Sequence, residues 1–460
     1  MIRHIVIGAG ISGLALGWFL KKRFGEKQNL TILEAGEHPG GWIRTHADKG
    51  FLFEAGPRSC RTKGAGIDTL QLIEELGLCQ QVISASPSAK SRYIYQEGKI
   101  QTVPNTFFSF LFSPLMRGVL PALWKEWQIP TSDLEDETVA HFISRRLSPE
   151  IAEKLMDPLV SGIYAGDIRQ LSIRSCFPDL HRMELEQGSL VKGMLQKKKM
   201  DMSHLSEFVR QQSRTSIFSF KNGMQTLTTT LYSQMQDVIR LSNKVKAVHV
   251  AADALQVELQ NGVVLKGDRV FLAVPAYAAA ELLKTVDPLI TESMIQEVYA
   301  TVATVNMGWN QRVLKQEGFG YLVPSSEKQN ILGVVFDSSA FPQQNGPNQR
   351  RLTVMLGGMH HPEIENLPSD EIEEIAGEAI LRHLGITQKP DAVKVSVARQ
   401  AIPQYTKGHH ARLFAFEQKL KRISASRIYL TGSAWRGVAV NDCIAEAKKL
   451  VTNIDHSVIQ

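Results

Sequence analysis

A glycine-rich turn near the amino terminus constrains the fold of this 460-residue chain more than any other feature. Residues 8–13 read Gly-Ala-Gly-Ile-Ser-Gly, directly after the apolar run Ile5–Ile7 and directly before a stretch of helical periodicity that continues to Phe24. A second apolar run follows at Leu30–Leu33. This order predicts a strand, a helix and a second strand, which is the beginning of an α/β fold with a parallel sheet.

The spacing of these glycines predicts a dinucleotide site. Gly8 permits a tight turn, Gly10 lets the backbone approach a pyrophosphate, and Gly13 allows the helix to pack closely on the strand. The anion would lie at the amino terminus of the helix, where free N–H groups and the helix dipole favour negative charge. Glu34 ends the second strand, at the place where a carboxylate accepts hydrogen bonds from ribose hydroxyls.

Two further glycine-bearing turns favour a flavin dinucleotide over NAD. Residues 39–42 read Pro-Gly-Gly-Trp, and residues 54–58 read Glu-Ala-Gly-Pro-Arg. A nicotinamide dinucleotide domain does not need such turns, whereas an extended FAD molecule is contacted by several. Their alternative interpretation is as ordinary loops. We therefore expect FAD as the cofactor.

Other patterns place elements further along the chain. A hairpin is predicted from residue 255 to residue 265 around Asn261-Gly262, followed by a buried strand over 270–274. A surface helix is predicted over 369–384, and a strand over 427–432 precedes a helix over 441–451. The His409-His410 pair is interpreted as a surface feature rather than a metal site, and no metal is expected.

Composition excludes several classes of protein. Fifty-two Lys and Arg against 46 Asp and Glu leave a net charge of +6, without a long basic run, so no nucleic-acid partner is expected. Four widely separated cysteines argue against a disulfide framework and favour a reducing compartment. The sequence enters its first predicted strand at once, which leaves no room for a secretory leader.

Longer motifs carry a family resemblance. They are residues 8–13, 40–44, 53–58, 171–178, 318–326, 402–405 and 437–444. Together they resemble the protoporphyrinogen/coproporphyrinogen oxidase family of the flavin amine-oxidase superfamily. The resemblance implies an α/β fold with a discontinuous Rossmann-like FAD-binding domain at 1–85, 176–271 and 396–460. It also implies a mixed-sheet substrate domain at 272–395 and a helical, membrane-facing insertion at 91–175.

The resemblance also implies site residues. Those expected to contact non-covalently bound FAD are Gly8, Gly10, Ile11, Ser12, Gly13, Glu34, Ala35, Gly41, Trp42, Gly56, Pro57, Arg58, Ser59, Val245, Gly432, Ser433, Val438, Ala439 and Val440. Those expected to contact substrate are Arg92, facing a propionate, and Gly162, Ile163, Tyr164, Ala165, Phe319, Gly320, Leu322 and Met355, which line the cavity. No catalytic acid or base is expected, because the chemistry belongs to flavin N5.

The function implied by the resemblance is oxidation of protoporphyrinogen IX to protoporphyrin IX in haem biosynthesis. This six-electron reaction transfers hydride to flavin N5 and reduces three dioxygen molecules to hydrogen peroxide. Oxidation of coproporphyrinogen III to coproporphyrin III is the alternative within the same fold. A flavin amine oxidase and a non-enzymatic flavin-binding scaffold are alternatives from other classes.

An apolar stretch, residues 107–120, suggests contact with a membrane surface. Pro114 and Arg117 interrupt it and Pro121 follows it, so it cannot be a helix of about 20 apolar residues that spans a bilayer. It is interpreted either as buried core or as part of a docking surface, with Trp124 and Trp127 at the interface and Arg117 and Lys125 toward head groups. The expected location is the cytoplasm or cytoplasmic face of the cell membrane, or the mitochondrial inner membrane in a eukaryote. A homodimer and a ferrochelatase that receives the product are expected partners.

Overall fold

A parallel sheet of five strands forms the centre of the FAD-binding part. The computed structural model describes residues 1–104, 119–196 and 201–454. In spatial order the strands are Ile239–Arg240, Gln28–Leu33, Ile2–Ile7, Arg269–Leu272 and Ile428–Leu430. All four pairings are parallel. The chain therefore returns to one sheet from three distant regions.

Alternating side chains bury both faces of this sheet. Val6 packs into one cluster with Leu16 and Ile444, residues of the helices Ile11–Phe24 and Val440–Asn453. Ile5 and Ile7 pack into a second cluster on the other face. That face is covered by an antiparallel sheet of strands Val245–Val250, Leu255–Leu259 and Val264–Gly267. Three helices also contribute to the cluster: Ala276–Leu283, Pro288–Ile295 and His409–Ile423. The predicted hairpin, buried strand and carboxyl-terminal helix are confirmed.

A mixed sheet of seven strands forms the second part. Its spatial order is Ala392–Pro403, Tyr299–Trp309, Arg350–Gly357, Gly333–Val335, Gly320–Leu322, Arg92–Gln96 and Lys99–Val103. The predicted helix is present as Ser369–Leu384, and it packs Ile372, Ala376 and Ile380 into the core of this sheet.

The structure corrects two of the predicted domain boundaries. Residues 92–103, which the prediction assigned to the helical insertion, are strands of the seven-stranded sheet because Arg92–Gln96 pairs in parallel with Gly320–Leu322. Residues 396–403, assigned to the FAD-binding part, belong to the same sheet because they pair with Tyr299–Trp309. Both corrections come from pairing between residues far apart in the chain.

The region from 119 to 196 is helical. Its helices are Val119–Glu126, Val139–Arg146, Pro149–Ile151, Asp157–Tyr164, Ile173–Cys176, Pro178–Gln187 and Leu190–Gln196, with a π-helical turn at Ala152–Met156. They enclose a core that contains Phe142, Val160 and Leu190. Buried Arg146 forms ion pairs with Glu126 and Glu184. Residues 107–118 of the apolar stretch lie outside the described residues.

Short elements connect these parts. Two small antiparallel sheets contain Thr45–Asp48 and Phe51–Glu54, and Cys60–Arg61, Ile217–Phe220 and Val82–Ser84. Further helices are Gly66–Glu75, Glu207–Gln212, Gln225–Ser233 and Asp337–Ala340. Within the described ranges, each helix falls short of the length and apolarity needed to cross a membrane.

Candidate active site

The first glycine turn lies at the carboxyl end of strand Ile2–Ile7. Gly8 has a φ of 102°, and a Cβ there would lie 2.5 Å from Ala273 O. A Cβ on Gly13 would collide with Gly8 O. Helix Ile11–Phe24 has Gly10 at its N-cap and no side-chain capping bond. Its first N–H groups are therefore presented to the adjoining space, as an anion site requires.

A second glycine turn faces the first. Gly40 N donates to Ala9 O over 2.8 Å, and a Cβ on Gly41 would lie 3.3 Å from Gly10 Cα. A Cβ on Gly10 would meet only Gly41 Cα, at 4.0 Å. Because Gly10, Gly40 and Gly41 carry no side chains, they leave backbone exposed where the two turns meet, and this cradle fits a pyrophosphate that must approach N–H groups closely.

Glu34 lies beside this cradle. Its Oε2 accepts a hydrogen bond from Ala9 N at 2.8 Å, and its Oε1 accepts one from Gly36 N at 2.9 Å. Glu34 O also accepts Asn243 N at 2.8 Å, which brings the segment leading to Val245 alongside. The structure thus brings together the carboxylate and the valine that were predicted at the adenosine end.

The carboxyl-terminal segment 432–440 reaches the same place. Gly432 has a φ of 96°, and a Cβ on it would lie 2.9 Å from Ser12 Oγ. Helix Val440–Asn453 begins after Ala439, without a side-chain cap. Asn441 fixes this helix start, because its Oδ1 accepts Thr69 Oγ1 at 2.8 Å and its Nδ2 donates to Arg61 O at 2.9 Å. Ile11 is the first residue of helix Ile11–Phe24. The remaining predicted flavin residues lie outside the helices and strands: Ala35, Trp42, Gly56, Pro57, Arg58, Ser59, Ser433 and Val438.

The predicted substrate anchor lies on the neighbouring sheet. Arg92 is exposed and pairs with Gly320 across two parallel strands. Its guanidinium carbon lies 5.7 Å from the centre of the Phe319 ring. Among the described residues Arg92 forms no ion pair with a carboxylate, so its charge remains available to an anionic ligand.

The predicted cavity walls approach one another at the end of helix Asp157–Tyr164. A Cβ on Gly162 would lie 2.8 Å from Leu322 Cδ2, so the Leu322 side chain packs directly against the backbone of this helix. Ala165 and Met355 belong to one apolar cluster, and Ile163 is exposed. Tyr164 points away from these walls into the helical core, where its hydroxyl donates to Cys176 O at 3.1 Å.

Comparison with known proteins identifies the family. The family described as flavin containing amine oxidoreductase matches residues 11–454. The chain belongs to this family. A Homo sapiens protein named protoporphyrinogen oxidase is 36% identical, with 98% of both chains covered. A Bacillus subtilis protein named coproporphyrinogen III oxidase is 27% identical, with 98% of this chain and 97% of that protein covered. A solved structure from Exiguobacterium sp. 255-15 has a TM-score of 0.81 at 25% identity, with 98% of both chains covered.

Membership of the flavin-containing amine oxidoreductase family confirms FAD as the cofactor and oxidoreduction as the class of activity. The cradle between Gly10 and Gly41 and the uncapped helix starting at Ile11 fit the pyrophosphate of FAD. Its adenosine ribose would lie near Glu34. The mixed α/β fold with several sheets is also that of the family.

Sequence patterns missed a buried polar cluster between the FAD-binding part and the seven-stranded sheet. Arg58 pairs with Asp337 at 3.2 Å, and Asp337 also accepts Thr353 Oγ1 at 2.7 Å. Nearby, Glu54 accepts hydrogen bonds from Met224 N and Thr45 Oγ1, but burial outweighs them and raises the pKa of Glu54 to about 7. Asp337 stands in no recognisable motif, and only the fold brings it to Arg58.

The structure also corrects the interpretation of the histidine pair. His410 is exposed, as expected, but His409 is 2% exposed and lies behind the segment 432–440. Helix His409–Ile423 begins at this residue and turns its first side chain inward. Among the described residues there is no cluster of His, Cys, Asp or Glu side chains suited to holding a metal ion.

Proposed function

We propose that the chain is an oxygen-dependent oxidase that converts protoporphyrinogen IX to protoporphyrin IX in haem biosynthesis. The observation that carries the proposal is Arg92, which forms no ion pair within the described part of the chain. It lies on the same sheet as Leu322 and Met355, which with Gly162 and Ala165 form the predicted cavity walls. The proposal is supported by the human relative, whose name is protoporphyrinogen oxidase. That relative is more similar than the Bacillus subtilis protein named for coproporphyrinogen III.

The groups of this chain bind and orient the substrate rather than transfer protons. FAD, when bound, accepts hydride at N5 and passes two electrons to dioxygen. Arg92 would hold a propionate by charge-assisted hydrogen bonds. The apolar walls would exclude water and hold a methylene bridge in position, which is the main catalytic contribution that a protein can make to such a reaction. Three such oxidations convert one porphyrinogen to one porphyrin.

The decisive assay incubates the purified flavin-loaded protein under air, separately with protoporphyrinogen IX and with coproporphyrinogen III. We expect porphyrin fluorescence and three hydrogen peroxide molecules per porphyrin, with a higher kcat/KM for protoporphyrinogen IX. Protein stripped of flavin is the control for spontaneous oxidation. Faster turnover of coproporphyrinogen III would assign the alternative substrate, and absence of both products would overturn the proposal.

We also propose that the helical region 119–196 attaches shallowly to the cytoplasmic face of a membrane. Support comes from Trp124 and Trp127, which are 81% and 51% exposed. Met194 and Leu195 add exposed apolar surface on helix Leu190–Gln196, which packs against helix Val119–Glu126. Lys125 lies between the tryptophans and is also exposed. Exposed aromatic residues with a basic residue between them suit a lipid interface.

Flotation with anionic liposomes tests this attachment. We expect the native protein to float and a Trp124→Ser/Trp127→Ser double variant to remain in the soluble fraction. Leu289→Ser is the matched control, because Leu289 is 68% exposed on a different helix. Equal flotation of all three proteins would contradict the role of the tryptophans. Transfer of product to a ferrochelatase and formation of a homodimer stay predictions.

A further inference from the structure

The stacked side chains of Tyr405 and His409 contact backbone carbonyl groups of the carboxyl-terminal segment 432–440. The rings of Tyr405 and His409 are stacked, with centroids 4.3 Å apart and an interplanar angle of 21°. The Tyr405 hydroxyl donates to Ser433 O, and His409 Nε2 lies 3.0 Å from Trp435 O. Both carbonyls belong to one three-residue stretch, and each is held by one of the two rings.

The second ring nitrogen of His409 faces a buried carboxylate. His409 Nδ1 lies 3.4 Å from Glu297 Oε2, while Glu297 Oε1 accepts Arg412 Nε at 2.7 Å. Burial alone would raise the pKa of Glu297, but hydrogen bonds with His409 and Arg412 hold it below its ordinary value. Glu297 is therefore a carboxylate at neutral pH, and it faces His409 as an acceptor.

Both partners of the ring can only accept hydrogen bonds. A neutral imidazole has one N–H group and one unprotonated nitrogen, so it can satisfy Trp435 O or Glu297 but must turn a lone pair toward the other. Only the doubly protonated ring donates to both. We propose that His409 is a buried imidazolium that positions the Ser433–Trp435 backbone and places a fixed positive charge behind the flavin segment.

Protonation of His409 adds one positive charge to the group that it forms with Glu297 and Arg412. Glu297 contributes one negative charge, and Arg412 and the protonated His409 contribute two positive charges. Tyr405 is stacked on the ring, His410 follows it in the chain, and Asp136 adds a negative charge at the start of the same helix, where its Oδ2 accepts Gly408 N at 2.7 Å. Reduction places negative charge on the flavin, and the positive charge that a protonated His409 adds in this buried region favours that state.

His409 is thus a positioning residue rather than a catalytic one. The inference rests on FAD lying against the segment 432–440, and it does not depend on which substrate is oxidised. Its consequences can be measured without porphyrinogen. Failure of the porphyrinogen assay and failure of this inference are therefore separate results.

The first test measures the protonation of the ring directly. In the flavin-loaded protein with 15N-labelled histidine rings, the resonances that disappear in His409→Gln identify His409. We expect both ring nitrogens to have the shifts of protonated nitrogen at pH 7.5. In Glu297→Gln, which removes the carboxylate but keeps the shape, we expect one of them to move to the shift of an unprotonated nitrogen. A neutral His409 ring in the native protein would overturn the proposal.

The second test measures the flavin. We expect His409→Gln to shift the flavin midpoint potential to a more negative value and to change the flavin absorbance bands, because the variant removes one buried positive charge. His410→Gln is the matched control and should keep the native potential, since its ring is exposed. A native potential in His409→Gln, or the same negative shift in both variants, would overturn the electrostatic role.

Discussion

The candidate flavin site combines one segment from the amino-terminal end of the chain with one from the carboxyl-terminal end, and different interactions hold the two segments in place. The turn at residues 8–13 is shaped by its own glycines and by the strand and helix beside it. The segment 432–440 depends on Tyr405, His409 and Asn441, and on their partners in distant elements. A local motif can thus specify one end of a cofactor site, whereas the other end needs the assembled fold.

Gly10→Val should have the largest effect, because it fills the local cradle. Its Cβ would project toward Gly41, into the space that the pyrophosphate requires. We expect purified protein without flavin, measured by the ratio of absorbance at the flavin band to protein absorbance. Gly377→Val is the control, since a side chain at this helical glycine meets no atom within 4 Å. A flavin-replete Gly10→Val protein would refute the assignment.

The same difference explains what the sequence could predict. The strand, glycine turn, helix and acid are contiguous, so pattern and spacing correctly predicted these elements and the position of Glu34 at the end of the second strand. Asp337, Tyr405 and His409 reach the site only after long-range pairing, and no local periodicity marks them. The two histidines at 409 and 410 are adjacent in sequence, yet the packing of one helix buries the first and exposes the second. The predicted boundaries failed for the same reason, because strand Arg92–Gln96 joins a sheet whose other strands are far away in sequence.

Glu54 lies in an amino-terminal motif, but its protonation depends on burial by distant parts of the fold. Its pKa is raised to about 7, mainly by burial, above the value of 4.5 for an exposed Glu. Between these two values the folded protein holds a proton that the unfolded chain has lost, so this group makes stability fall as pH rises from about 4.5 to 7. The loss is complete above that range and amounts to about 3 kcal/mol at most.

Glu54→Gln should remove this dependence. Between pH 5 and pH 8, the native protein should lose up to about 3 kcal/mol more unfolding free energy than the variant loses. Urea unfolding of both proteins at the two pH values measures it. Glu378→Gln, on the exposed side of helix Ser369–Leu384, controls for a general effect of pH. A difference that stays constant with pH would show that Glu54 titrates normally.

Arg92→Ala tests the substrate side without touching either flavin segment. Loss of one charge-assisted contact of about 1.5 kcal/mol should raise KM for porphyrinogen about tenfold. The flavin content should stay native, because Arg92 lies on the seven-stranded sheet. Arg382→Ala, an exposed arginine on a covering helix, is the control. An unchanged KM would remove Arg92 from the site.

Tyr405→Phe should give the smallest effect and tests the carboxyl-terminal segment most directly. It removes one hydroxyl and leaves Ser433 O without its donor, which costs about 1 kcal/mol. We expect FAD to dissociate about fivefold more readily, measured by flavin fluorescence on dilution. Tyr164→Phe is a matched control, because it also removes a buried tyrosine–carbonyl hydrogen bond but acts on Cys176 O in the helical region. Both variants should lose similar thermal stability, and only Tyr405→Phe should lose flavin affinity. Equal flavin loss in the two variants would mean that FAD affinity depends on overall stability rather than on the hydrogen bond from Tyr405 to Ser433 O.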